Sequence, residues 1–296
     1  MYNIEDIKDT IINGDVLEVL KQIPSESIDM CITSPPYWQC RDYGAEGQIG
    51  LEYTTKDFID KLNNIFIEVY RVLKKEGSCW INIRDTYSKG IKRSGVKNKS
   101  LSLIPERLAI KMLEEGWILR NDIIWHKPNA MPDSCKNRFT VDYEHLYFFT
   151  KIEKEYFFET QYEDFKSAKK KSTKKDKNKK STGKQKLLLD TKMVRHGAEG
   201  STLNDPSKWS EKGRIKRTTW DINTKPLRDY PHTAPYPEEL IDTPIKACCP
   251  EGGIVLDIFM GSGTTGVVAK KQNKHYIGIE LNEEYIKMAE ERIGNS

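Results

Sequence analysis

The stretch "GGIVLDIFMGSGTTG", residues 252–266, carries a short apolar run straight into a turn holding Gly261, Gly263 and Gly266. Such a run, bounded by glycines, predicts a buried strand over 253–258. A helix is expected from Thr265 to Lys271, a second strand from His275 to Glu280 and a closing helix from Glu283 to Ile293. Strand, glycine turn, helix and strand in this order make a βαβ unit, whose strands lie parallel in one sheet.

Glycines at such a turn let the backbone approach a ligand, and an acid closing the second strand, here Glu280, can accept both hydroxyls of a ribose. One acid sets the turn apart from a dinucleotide site. Gly261, Gly263 and Gly266 keep the Gly-x-Gly-x-x-Gly spacing, but Asp257 stands four residues ahead of Gly261. A carboxylate so placed would repel a pyrophosphate yet suit a cationic amino group. A sulfonium amino acid joined to adenosine fits better than a dinucleotide.

Alternation extends to the N-terminal half. Ile11 to Asp15 ends a strand, Val16 to Gln22 is a short helix, and Ile28 to Thr33 is a strand. Lys56 to Lys74 repeats apolar residues at helical spacing (Phe58, Ile59, Leu62, Ile65, Phe66, Val69, Val72), with Gly77 ending the helix before a strand at 78–83. A helix from Pro105 to about Glu115 and strands at 119–125 and 145–150 follow, and Pro237 to Cys249 reads as a helix with a proline at its start. This predicts an α/β fold, Rossmann-like, with a mainly parallel sheet covered by helices. Residues 151–231 break the pattern and read as an insert between two halves, 1–150 and 232–296.

At the end of the second strand stands "SPPYW", Ser34 to Trp38. Pro35 and Pro36 fix φ, remove two backbone donors and force an extended, stiff loop with free carbonyls. Tyr37 and Trp38 therefore sit at the carboxyl end of a strand, where open α/β sheets hold their ligands. A rigid, acceptor-rich loop with an aromatic face suits a flat, amine-bearing ligand. A proline turn whose aromatics cap the core is the alternative.

Of 296 residues, 37% are hydrophobic, enough for a large core. No apolar stretch approaches membrane-spanning length and no leader pattern is evident at Met1, so a cytoplasmic location without membrane contact is expected. The six cysteines (31, 40, 79, 135, 248, 249) show no CxxC pairing, and neither they nor the five histidines have metal-ligand spacing. Net charge is +4, but residues 166–186 hold eleven lysines and one acid, leaving 37 basic and 43 acidic residues elsewhere. A local balance of +10 on an otherwise acidic chain fits phosphate neutralisation, or else a solvated loop.

Together, "DIFMGSGTTG", "GIELNEEYIKMAEERI", "IINGDVLEVLKQIPSESIDMCI" with "SPPYW", and "HTAPYPEELIDTPIKACC" resemble the S-adenosylmethionine-dependent DNA amino-methyltransferases. The likeness covers nearly all of 10–150 and 231–293. Catalytic loop, presumed target-recognition insert and cofactor loop follow in the order of the β group. The resemblance implies S-adenosylmethionine as cofactor and double-stranded DNA as partner, leaves a cognate restriction endonuclease and the oligomeric state open, and implies a class I methyltransferase fold.

By the same resemblance Asp257, Phe259, Gly261 and Gly263 would line the methionine end of the cofactor, Thr264 and Thr265 its carboxylate, Glu280 the ribose, and Asp15 the adenine amine. Pro237 lies in the stretch closing the methionine side. Asp15 in "GDVLEVL" also fits a helix N-cap. The catalytic set would be Ser34, Pro35, Pro36 and Tyr37. The base is flipped and stacked on Tyr37, by its ring rather than its hydroxyl, and Ser34 Oγ and the Pro35 carbonyl accept the amino hydrogens. Asp257, as a ligand contact, is expected to be dispensable for folding.

Serine before Pro-Pro-Tyr is commoner in N4-cytosine members and aspartate in N6-adenine members, so Ser34 favours cytosine with adenine as the alternative. A non-catalytic DNA-binding module would not need Ser34, Tyr37 and Asp257 intact. An NAD oxidoreductase is disfavoured by Asp257, whose charge ahead of the turn would repel a pyrophosphate. Carbon-5 methylation needs an activated thiolate, and the one Cys-Pro, Cys249-Pro250, ends a helix away from the loop.

Overall fold

The computed structural model describes residues 1–42, 44–45, 47–164, 213–225 and 235–296. In chain order the elements are α1 (Ile4–Ile7), β1 (Thr10–Asn13), α2 (Val16–Leu20), β2 (Ile28–Thr33), α3 (Thr55–Val72), β3 (Leu73–Ile83), α4 (Ile91–Ser94), α5 (Ile104–Glu114), β4 (Ile118–His126) and β5 (Tyr143–Thr150). They continue with β6 (Tyr162–Glu163), β7 (Arg214–Ile215), β8 (Thr219–Asp221), α6 (Glu238–Cys248), β9 (Ile254–Asp257), α7 (Thr264–Lys271), β10 (His275–Glu280) and α8 (Glu283–Gly294).

Eight strands form one sheet in the order β1-β10-β9-β2-β3-β5-β4-β8. All neighbours from β1 to β3 pair in parallel, β5 runs antiparallel to both β3 and β4, and β8 pairs in parallel with β4. The fold is the Rossmann-like, mainly parallel α/β arrangement, with one reversed strand that hairpins back from β4. Side chains alternate between two cores with the period of a pleated strand. In β5, Tyr147 and Phe149 join the core under α2, α3 and α5, while Leu146 and Phe148 join the one under α6 and α7. In β9 the same split separates Ile254 and Leu256 from Val255. Because helices cover both faces, these strands read as unbroken apolar runs.

The switch point lies between β9 and β2. From β9 the chain crosses through α7 to β10, and from β2 through α3 to β3 on the other side, so a crevice opens where the two carboxyl ends diverge. One bond bridges it, from Thr33 Oγ1 to Asp257 Oδ1 at 2.7 Å.

Some boundaries differ from expectation. Helix α3 ends at Val72 and Gly77 lies inside β3, where the pairing of β2 with β3 shifts register and a Cβ on Gly77 would sit 2.9 Å from the Asp29 carbonyl. The glycine thus admits a close strand crossing rather than ending the helix. The insert expected over 151–231 is narrower as a compact unit: the main unit is Met1–Thr160 with Arg217–Ser296, and the second is Gln161–Lys216. Residues 219–221 form β8, with Trp220 buried in the core. In the second unit β6 pairs antiparallel with β7, and Arg214 Nε donates to Glu163 Oε1 at 2.8 Å. The lysine tract 166–186 lies outside the described residues.

Candidate active site

A cavity of about 970 Å³ opens at the carboxyl ends of the parallel strands. Ser34, Pro35, Pro36 and Tyr37 line it from the loop after β2, Phe259, Gly261 and Thr264 from the turn after β9, Glu280 from the end of β10 and Asp15 from the start of α2. Two loops far apart in sequence thus meet across the switch point. The space is at the upper end of the roughly 300–1,000 Å³ of small-molecule sites.

On the turn side, Glu280 is tied by backbone amides: Gly261 N donates to Oε2 at 2.8 Å and Asn282 N to Oε1 at 2.9 Å. Burial pushes its carboxyl above the ordinary range, and these amides only partly offset it. Each oxygen keeps a lone pair for a hydroxyl donor, which matches a ribose diol. Gly261 has φ +51°, a conformation that glycine adopts without strain and that brings the turn under the cavity. Asp15 is the helix N-cap that the sequence allowed. It caps α2 through Oδ1, which accepts from Leu17 N and Glu18 N at 2.9 and 3.2 Å, and it also lines the cavity, so Oδ2 is available to an amine. This donor and acceptor set fits S-adenosylmethionine.

Four of the expected cofactor residues lie outside the cavity lining: Asp257, Gly263, Thr265 and Pro237. Asp257 is 1% exposed and fully engaged. Its Oδ1 accepts from Thr33 Oγ1 and from Phe259 N at 3.1 Å, and its Oδ2 from Thr265 Oγ1 at 2.6 Å and Tyr236 OH at 2.9 Å. Burial raises its pKa against these four bonds. It is a knot joining β2, β9, α7 and the segment before α6, contacts that speak for a part in the fold as well. Thr265 is spent on the same knot. Gly263, at φ +79°, serves packing, because a Cβ there would lie 2.8 Å from Ala289 Cβ on α8. Pro237 caps α6 and is buried.

On the loop side, Tyr37 is held by its hydroxyl. It donates to Glu144 Oε2 at 2.7 Å, Ser34 Oγ donates to it at 3.4 Å, and Asn82 Oδ1 lies 3.3 Å away. Glu144 is 4% exposed and forms an ion pair with Lys127, which keeps the buried carboxylate compensated. Burial, then the Glu144 charge, pushes the Tyr37 phenol far up, so it is a donor at every ordinary pH. The Arg84 guanidinium stands 5.8 Å from the ring centroid. Trp38 is 2% exposed and donates from Nε1 to the Glu52 carbonyl at 2.9 Å, bracing the loop from within the core.

Sequence reasoning missed Glu144, Lys127 and Tyr236. A signal existed for each: an acid directly ahead of the apolar run "HLYFFT", a lysine after "IIWH", and a tyrosine between Pro235 and Pro237. The Cys-Pro pair offers no nucleophile here. Burial pushes Cys248 and Cys249 each up to about 12. Among the described residues no helix is long and apolar enough to cross a membrane.

Comparison with known proteins agrees with this arrangement. The DNA methylase family matches residues 28–291. The Type II methyltransferase M.XycI of Xanthomonas campestris pv. cyanopsidis is 38% identical over 304 residues, covering 96% of this chain and 87% of the relative. M.Cfr9I of Citrobacter freundii, also a Type II methyltransferase, gives the same identity and coverage. Among solved structures, PvuII DNA methyltransferase (cytosine-N4-specific) matches with a TM-score of 0.64 at 21% identity over 96% of this chain and 89% of that one, a likeness of fold. With the proline loop on β2 preceding the glycine turn on β9, the chain belongs to the DNA methylase family, as an S-adenosylmethionine-dependent DNA amino-methyltransferase of the β group.

Proposed function

We propose that the protein is a site-specific DNA methyltransferase that transfers a methyl group to the exocyclic N4 of a flipped cytosine. The observation that carries this reading is Ser34, a serine at the head of the proline loop, in one cavity with the Glu280 and Gly261 face. When bound, S-adenosylmethionine supplies an electrophilic methyl on sulfonium. Glu280, Asp15, Phe259, Gly261 and Thr264 would hold it, and Asp257 would act from behind by fixing the turn.

A base amine is a poor nucleophile while its lone pair is conjugated with the ring. Ser34 Oγ and the Pro35 carbonyl accept its two hydrogens and turn the lone pair toward the methyl donor. Pro36 stiffens the loop so that neither acceptor drifts. Tyr37 supplies the face on which the base lies, a contact worth about 1–3 kcal/mol, and Glu144 with Lys127 fixes that ring. Positioning rather than acid–base chemistry does most of the work. The Type II designation of the relatives supports a place in a restriction–modification system beside a cognate endonuclease. Sequencing that detects modified bases, applied to DNA from a host expressing the protein, tests this. One short motif methylated at cytosine is expected, and no modified motif would overturn the reading.

A further inference from the structure

Strands β4 and β5 are joined by the loop 127–142, and this loop carries the two most exposed large apolar side chains among the described residues, Met1 apart. Phe139 is 95% exposed and Met131 87%. The loop is not slack. Lys127 N donates to the Asp142 carbonyl at 2.7 Å across its neck, and Asn129 exchanges bonds with the Thr224 backbone at 2.9 and 3.0 Å. Arg138 pairs with Asp133 at 2.5 Å and lies 3.9 Å over the Tyr87 ring. Polar contacts thus brace a segment that turns a phenylalanine and a methionine to solvent. Met131, Arg138, Thr140 and Val141 line the same cavity as Tyr37, and Phe139, itself outside the lining, stands between two of these residues.

A single exposed apolar residue needs no explanation, but two on one braced loop beside a substrate cavity do. The geometry points to a wedge: Phe139, backed by Met131, enters the duplex and fills the gap in the stack left by the base that moves onto Tyr37. Proteins that unstack DNA use apolar side chains in this way. Lys136, exposed two residues after Ser134, places a cation where a phosphate would pass. The occupant is duplex DNA rather than a second copy of the chain, because Met131 and both chain neighbours of Phe139 line the cavity that must receive the base. This inference rests on the proposed base-flipping methyltransferase reading.

Two duplexes test it, each carrying the motif found by sequencing: one with the target base paired, one with that base opposite an abasic site, where it is already poorly held. On the paired duplex Phe139→Ala is expected to slow single-turnover methylation about tenfold, since a base that is hard to extrude now lacks the side chain replacing it. On the abasic-opposed duplex the variant should match wild type, and Phe139→Leu should recover most of the rate on the paired one. Unchanged S-adenosylhomocysteine affinity shows that the variant is folded. Equal rates for Phe139→Ala and wild type on paired DNA, or equal slowing on both duplexes, overturn the wedge alone. Loss of self-association in Phe139→Ala with unaltered rates assigns the pair to a second copy and also overturns it. No transfer by wild type to either duplex overturns the function and the wedge with it.

Discussion

Replacing Tyr37 by phenylalanine separates what its ring and its hydroxyl do. Stacking needs only the ring, yet the hydroxyl fixes the ring's direction through Glu144. Tyr37→Phe is therefore expected to lower turnover about tenfold, a hydrogen bond to a charged group being worth about 1.5–3 kcal/mol, and Tyr37→Ala to lower it further. Cofactor affinity, read by calorimetry, should hardly move in either, and wild-type turnover in Tyr37→Phe would remove Glu144 from the account. Asp257 makes a second case. Its removal takes the acceptor from Thr33 Oγ1 and Phe259 N and leaves Tyr236 OH and Thr265 Oγ1 only each other at 2.6 Å, so Asp257→Ala should cost about 3 kcal/mol of stability, seen as a lower Tm. Because burial raises its folded pKa above the ordinary 3.8, the folded state holds the proton more tightly and stability falls as pH rises from that value through the folded pKa. Asp257→Asn should flatten that part of the Tm-versus-pH curve; an unchanged curve would show that another group sets it. The sequence revealed that Asp257 mattered but not how. Its partners Thr33 and Tyr236 lie 224 and 21 positions away, and only strand order brings them together.

Helices α7 and α8 meet through the absence of side chains. Gly263 lies against Ala289, and a Cβ on Gly266 would come within 2.4 Å of Ile293 Cδ1. Gly263→Ala adds a methyl at positive φ against that surface, and an overpacked, strained site of this kind costs about 1–3 kcal/mol. Thermal unfolding should show the loss while the apparent cofactor affinity of the folded fraction stays near wild type; a loss of affinity alone would return Gly263 to the cofactor. The βαβ unit and α3 were legible in advance because long periodicities and a glycine turn leave local marks. Strand β8 was not, since Trp220 is its one buried residue and three residues carry no period. Nor was the reversal of β5 visible, because a strand buried on both faces reads alike in either direction.

Charge is divided along the whole chain, with +10 concentrated in 166–186 and the remainder acidic. Deleting that tract is expected to flatten the salt dependence of DNA affinity while leaving the methylated motif unchanged, as befits phosphate contacts that carry no sequence information. An unaltered salt slope would make it a solvated loop. The main unit brings the proline loop and the glycine turn to one cavity, and that union is the basis for methyl transfer to an exocyclic amine. Mass spectrometry of nucleosides from DNA incubated with the protein and isotope-labelled S-adenosylmethionine reads the product directly. Label in N4-methylcytosine is the predicted result; N6-methyladenine would contradict the base assigned from Ser34, and label in 5-methylcytosine would contradict the amine chemistry itself.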